Sequence, residues 1–153
     1  MGYALFTARK LSCNTRLNNC NSRIMVNSNS ENVLTTRISN TQKAINIWTS
    51  NQKNAIYNKF KSQVASIEYD ADSKEYNTAK EEIEAARTQK LDELEQEIST
   101  KNESIELLNQ EQTLLDMERT SLETEMNAIN SELESVKEAE KSYIKNSTAK
   151  FAS

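Results

Sequence analysis

The sequence has no histidine, no proline and a single glycine, at position 2. Proline and glycine make most tight turns, so few chain reversals are expected. The missing histidine removes the commonest general base and a common metal ligand. One glycine cannot build a phosphate-cradling loop. Two cysteines alone make no zinc site. Aromatic residues are 6% of the chain and mean hydropathy is −0.78, which argues against a thick globular core. Paired acids such as Glu81 and Glu82 read as a solvated helix face. The inventory predicts no enzyme, no cofactor, no metal and no small-molecule substrate.

No apolar run approaches the length of a membrane span. The patch Tyr3 to Phe6 is too short for a signal h-region, and Arg9 and Lys10 follow it rather than precede it. The myristoylation pattern wants Ser or Thr where Phe6 stands. No cleaved signal is expected. Export to the cell surface would use a signal-less route, and that location is favoured over the cytoplasm.

What the chain does have is charge, 27% of its 153 residues, and a split in it. Residues 1–68 hold nine basic and two acidic residues, a net of +7. Residues 69–153 hold ten basic and 21 acidic residues, a net of −11. Twelve of the 18 asparagines lie in the first 60 residues. The basic residues of the first half form no cluster, and no aromatics alternate with them, so no nucleic-acid partner is expected. Complementary charge instead predicts that one half lies along the other.

The second half carries a heptad repeat. With Leu91 as position a, the a series is Leu91, Ile98, Ile105, Gln112, Arg119, Met126, Leu133, Glu140 and Ser147. The d series is Leu94, Lys101, Leu108, Leu115, Leu122, Ile129, Val136, Tyr143 and Lys150. Twelve of these 18 positions are apolar, with no phase slip. A repeat held that long imposes a left-handed supercoil. Gln112 and Arg119 are polar a positions, which weaken a seam but fix its register.

The first half gives a similar stripe. Tyr3, Phe6, Lys10, Cys13, Leu17, Cys20, Ile24, Asn27, Glu31, Leu34, Ile38, Thr41, Ile45, Trp48, Gln52 and Ala55 alternate by three and four, and eleven of the 16 are apolar. Ser28 and Glu31 make a capping-box pattern inside the gap at Asn27 and Glu31, which leaves room for a kink or a helix restart at 27–31. Asp70, Asp72 and Ser73 are turn and N-cap residues.

The expected fold is all-α, a long antiparallel two-helix hairpin of coiled-coil type with one short turn. Its parts are a basic, Asn-rich helix over 1–68, a turn at 69–73, an acidic heptad helix over 74–150 and a tail at 151–153. At about 1.5 Å per residue the helices are on the order of 100 and 115 Å long. The residues expected to carry assembly are Phe6, Cys13, Leu17, Cys20, Ile24, Leu34, Ile38, Ile45 and Trp48 on the first helix. On the second they are Leu91, Leu94, Ile98, Ile105, Leu108, Leu115, Leu122, Met126, Ile129, Leu133, Val136 and Tyr143.

Leu5, Leu11, Met25, Val33, Leu107, Leu114 and Met117 fall off this seam, and surplus apolar surface of this kind meets a partner chain. Cys13 and Cys20 are seven residues apart, about 10.5 Å along one helix, too far for a mutual disulfide. Two readings of them stand: small buried hydrophobes, or an inter-subunit disulfide locking neighbours.

The opening Met1-Gly2, Ala8-Arg9, Leu11-Ser12 and Thr15-Arg16-Leu17 resembles a group of small helical proteins from gut-associated bacteria, as do Ser135-Val136-Lys137, Ile144, Ser147, Lys150 and Phe151 near the end. The resemblance covers about the first 20 and last 60 residues. More distantly, the layout is similar to axial proteins exported by flagellar and type III secretion systems. The two seam cysteines and the short turn depart from that pattern. The resemblance implies terminal helices that pair and polymerise. The functional expectation is a structural, self-assembling subunit of a helical filament whose partner is itself. The alternative is a small coiled-coil adaptor or chaperone of discrete size that binds a partner helix; polar Gln112 and Arg119 favour it.

Overall fold

The computed structural model describes residues 2–152. Met1 and Ser153 lie outside the described residues, and Ser153 is the end of the expected tail. The fold is an all-α helical hairpin of two packed helices. Helix α1 spans Gly2–Ala65 and α2 spans Lys74–Ala152, so Phe151 and Ala152 continue α2.

The reversal needs no left-handed residue: among the described residues no φ is positive and no peptide bond is cis. Instead α1 tightens as it ends. The Ser66 amide bonds the carbonyls of Ser62 and Gln63, the Ile67 amide bonds that of Val64, and Ser66 Oγ donates to Ser62 O at 2.8 Å. Bonds of the i→i+3 kind and a serine hydroxyl take up carbonyls that a helix end leaves unpaired. This ends α1 three residues before the expected boundary, and the connection runs over 66–73.

Helix α2 starts at an N-cap. Ser73 Oγ accepts from the Tyr76 amide at 3.1 Å and donates to Asp70 O at 2.7 Å. The Ser73 amide also bonds Asp70 O at 2.9 Å. Glu75 sits in the first turn of α2 and Lys150 in its last, each placed favourably on the helix dipole.

The restart allowed at 27–31 is absent, and α1 is helical throughout that stretch. Asn27 and Glu31 are instead drawn into the seam, where α2 supplies their partners. Residues that favour turns in isolation are overridden by tertiary contacts.

Two compact units divide the chain. One comprises 1–34 with 111–153, the other 35–110. In each, a segment of α1 pairs with a segment of α2. The side-chain register is uniform in both. Phe6 meets Tyr143, Lys10 meets Glu140 and Arg16 meets Glu132 in the first unit. Trp48 meets Lys101 and Phe60 meets Arg87 in the second. Each step forward on α1 is matched by a step back of similar size on α2, as an antiparallel pair requires.

Replacing Ser73 with alanine removes the cap from α2. We expect Ser73→Ala to lower unfolding free energy by about 1 kcal/mol, measured by urea denaturation followed by circular dichroism. An unchanged midpoint would mean the cap adds nothing.

Candidate functional site

Among the described residues, polar and ionic contacts between the two helices gather along the seam. Between residues 91 and 140 of α2 every a and d position is buried or half-buried. Every other position there is exposed except Glu132. Apolar contact at these positions removes surface from water and supplies most of the drive for pairing.

In the first unit the seam centres on Cys13, Cys20, Ile129 and Leu133, with Leu17 and Met126 packed against them. Val136 and Leu122 are almost fully buried, as is Leu34, while Ile24, Leu115 and Phe6 are half-buried. At the end of this unit the Phe6 and Tyr143 rings stand 5.7 Å apart, tilted by 55°. A Cβ on Gly2 would meet the Tyr143 ring at 3.0 Å, so the glycine lets the first turn of α1 approach that ring. Tyr143 nevertheless stays exposed, because the seam thins to one ring pair there. Tyr3, the first position of the expected stripe, is also exposed.

Both thiols are free and buried, under α2 of their own chain. Of the two readings of this pair, the inter-subunit disulfide is therefore not available to the closed hairpin. A sulfur with no exposed surface reaches a second chain only if the seam opens.

Polar residues thread the same seam. Lys10 Nζ lies 2.7 Å from Glu140 Oε2. Asn27 is buried and its Nδ2 donates to Leu115 O at 2.9 Å. Arg119 Nη1 pairs with Glu31, and its Nη2 reaches Asp116 Oδ1 at 3.0 Å. Arg16 pairs with Glu132 at 2.7 Å and Arg23 with Glu125 at 4.0 Å along one flank. These two pairs sit one heptad apart on both helices. Exposed pairs of this kind fix register more than they add stability.

Glu31 stands out electrostatically. Its Oε1 is buried and finds no donor. A proton on Glu31 would let it hydrogen-bond the Asp116 carboxylate. That interaction, then desolvation, raises its pKa above the ordinary glutamate value, against the opposing pull of Arg119. Glu132 raises the Arg16 pKa, chiefly through their hydrogen bond.

In the second unit Ile45, Leu94 and Ile105 are buried, with Ile38, Trp48, Leu91, Ile98 and Leu108 half-buried beside them. Lys101 Nζ stands 4.4 Å from the Trp48 ring centroid, which satisfies a charged d position by a cation–π contact. Arg87 lies 4.7 Å over Phe60. Ile56, Phe60, Ala86 and Arg87 floor a groove of about 280 Å³, with Lys59 and Lys90 also lining it.

The structure thus places 20 of the 21 expected assembly residues in the seam as buried or half-buried groups, Tyr143 being the exposed one. Asn27 and Glu31, expected as a gap in the stripe, are cross-helix partners, as are Lys10 and Glu140, to which the repeat alone gave no role. The signal that could have found them was opposite charge at seam positions in antiparallel register, Lys10 with Glu140 and Glu31 with Arg119. No protein-family model, curated protein or solved structure matches the chain.

Two outcomes test the seam. The raised Glu31 pKa means that its protonated form favours the fold. Its contribution is full below the ordinary glutamate range and is lost as pH rises through the raised value. The neutral variant Glu31→Gln should therefore gain stability relative to the parent chain as pH rises from about 4 to about 7. Paired thermal melts across that range check it, and a difference that falls with pH would contradict it. The thiols should react with an aromatic disulfide reagent only as fast as the seam opens. Leu133→Ala, which removes about 2–5 kcal/mol of packing, should accelerate that reaction. Labelling of the parent chain at the rate of an unfolded control would show that the thiols are not buried.

Proposed function

We propose that this chain is a structural subunit that self-assembles, through helix faces left outside the hairpin seam, into a helical filament or bundle. One observation carries the reading. The hairpin closes its own seam, yet Leu5, Leu11, Met25, Val26 and Val33 on α1 and Leu107, Leu114 and Met117 on α2 remain 57–68% exposed. Apolar surface beyond what a hairpin uses is suited to contact between chains. The layout resemblance to axial filament proteins points the same way. The role calls for no catalysis, cofactor or nucleic acid, and its partner is the chain itself.

A second reading is favoured by the groove of the second unit. Its apolar floor at Ile56 and Phe60 and its cations Lys59, Arg87 and Lys90 suit an acidic amphipathic helix. A small adaptor or chaperone of discrete mass would use it so.

Negative-stain electron microscopy of the purified chain, with and without reductant, separates the two readings. Uniform filaments or bundles under both conditions are expected from self-assembly with buried thiols. Discrete small particles at every concentration would replace it with the adaptor reading. A chain that stays monomeric at high concentration in neutral buffer would remove self-assembly altogether.

A further inference from the structure

The first unit contains a surface whose charge is distributed the wrong way round for water. Extending the heptad letters to α1 with Lys10 at a, the b, c and f positions form the outer face of each helix. Over 4–34 of α1 there are 14 of these, and over 111–131 of α2 there are nine. All 23 are exposed and none is charged. At the 27% charge of the whole chain, 23 positions would carry about six charges, and a solvent-facing helix normally holds more on its outer face.

The charges of these stretches sit at the seam or its flanks: Arg9, Lys10, Arg16, Arg23 and Glu31 on α1, and Glu111, Asp116, Glu118, Arg119, Glu123 and Glu125 on α2. The neutral band on α2 is bounded. Its outer face carries Asp92, Glu93, Glu103 and Glu106 before the band, and Glu134, Glu138, Lys141 and Lys145 after it. The band is thus local, and the helix elsewhere carries charge where water meets it.

The polar groups in the band are partly turned inward. Thr120 Oγ1 donates to Asp116 O at 3.0 Å, and Thr124 Oγ1 donates to Thr120 O at 2.9 Å. A hydroxyl bonded to its own helix needs no water. Beside them stand Leu114 and Met117 on α2, with Met25, Val26 and Val33 exposed on α1.

We propose that the neutral outer face of α1 over 4–34 packs against the neutral outer face of α2 over 111–131 of a second copy of this chain. The proposal rests on the self-assembly reading and names its contact. Charge selects the occupant. The rim of the α1 face carries Arg9, Arg16 and Arg23, and the rim of the α2 face carries Glu111, Glu118 and Glu125 with Asp116 and Glu123. Face α1 on face α2 sets arginines beside carboxylates. Pairing α1 with α1 would set arginine beside arginine, and α2 with α2 would set acid beside acid, which costs association. A contact between two different faces leaves the pair with one unused face of each kind, one on each chain, so assembly continues rather than closing as a dimer.

Two full-length variants test this by sedimentation velocity, with circular dichroism confirming helix content. Val26→Glu/Val33→Glu spoils the α1 face, and Leu114→Glu/Met117→Glu spoils the α2 face. All four sites are exposed, so the hairpin should persist. Each variant alone should need about a hundredfold more protein to assemble. Mixed together, they retain one intact pair of faces and should form a complex of two chains and no larger. Assembly of either variant at parent concentrations would overturn the proposal while leaving self-assembly intact. So would a mixture that stays monomeric. A parent chain that is monomeric throughout would overturn both.

Discussion

Burying polar groups between two helices sets the pairing on which the rest of this structure depends. Apolar seam residues attract one another at many alignments, since a heptad slip replaces leucine with isoleucine at modest loss. Asn27, Glu31 and Lys10 do not tolerate such a slip. Asn27 needs Leu115 O, Glu31 needs Arg119 and Lys10 needs Glu140. In any other register Asn27 would be held from water without its partner, at a cost of about 1–3 kcal/mol, and Glu31 and Lys10 would lose the opposite charges that meet them across the seam. The penalty for misalignment, rather than the worth of each contact, is what makes one register the native one. Glu31 carries a residual strain of this kind, because Asp116 stands close enough to raise its pKa while Arg119 lowers it.

The fold class was legible because it rests on composition and period. A chain with no proline and one glycine cannot turn often, and a 3.5-residue repeat leaves its apolar residues on one side. Ser73 could be read as a cap because the hydroxyl, the acidic turn before it and the helix after it all sit within a few residues. The interruptions at Asn27 and Glu31 were not legible in this way. Their local sequence, VNSNSEN, favours a break, and only the partner helix 88 residues away supplies the bonds that keep α1 continuous. Tyr143 failed for the opposite reason. Its heptad letter is right, but across the seam it meets a single ring, Phe6, and a glycine with no side chain to cover it.

The cysteines show how position alone misleads. Seam placement suits both a buried small hydrophobe and a cross-link, and spacing excludes only a bond between the two. Burial decides, because Cys13 and Cys20 are packed against Ile129 and Leu133 within one chain. Their neighbourhood is apolar and buried, which keeps an oxidising partner away from the sulfurs while the seam is closed. As small apolar groups they fill the seam beside Leu17 and Met126, a packing role that needs no oxidation.

The distribution of charge connects the fold to the proposed role. Over 4–34 of α1 and 111–131 of α2 charge sits at the seam and its flanks, where it sets alignment between the chain's own helices. The outer faces are left neutral, studded with Met25, Val33, Leu114 and Met117. Solubility argues against that arrangement, since charge is most useful where water is. A single hairpin gains nothing from it. The arrangement has a use once a second helix covers the neutral face, for then no charge must be desolvated on association and the flanking arginines and carboxylates orient the newcomer. In the proposed assembly charge at the flanks serves twice, first to align α1 with α2 and then to choose which face of a neighbour each one meets.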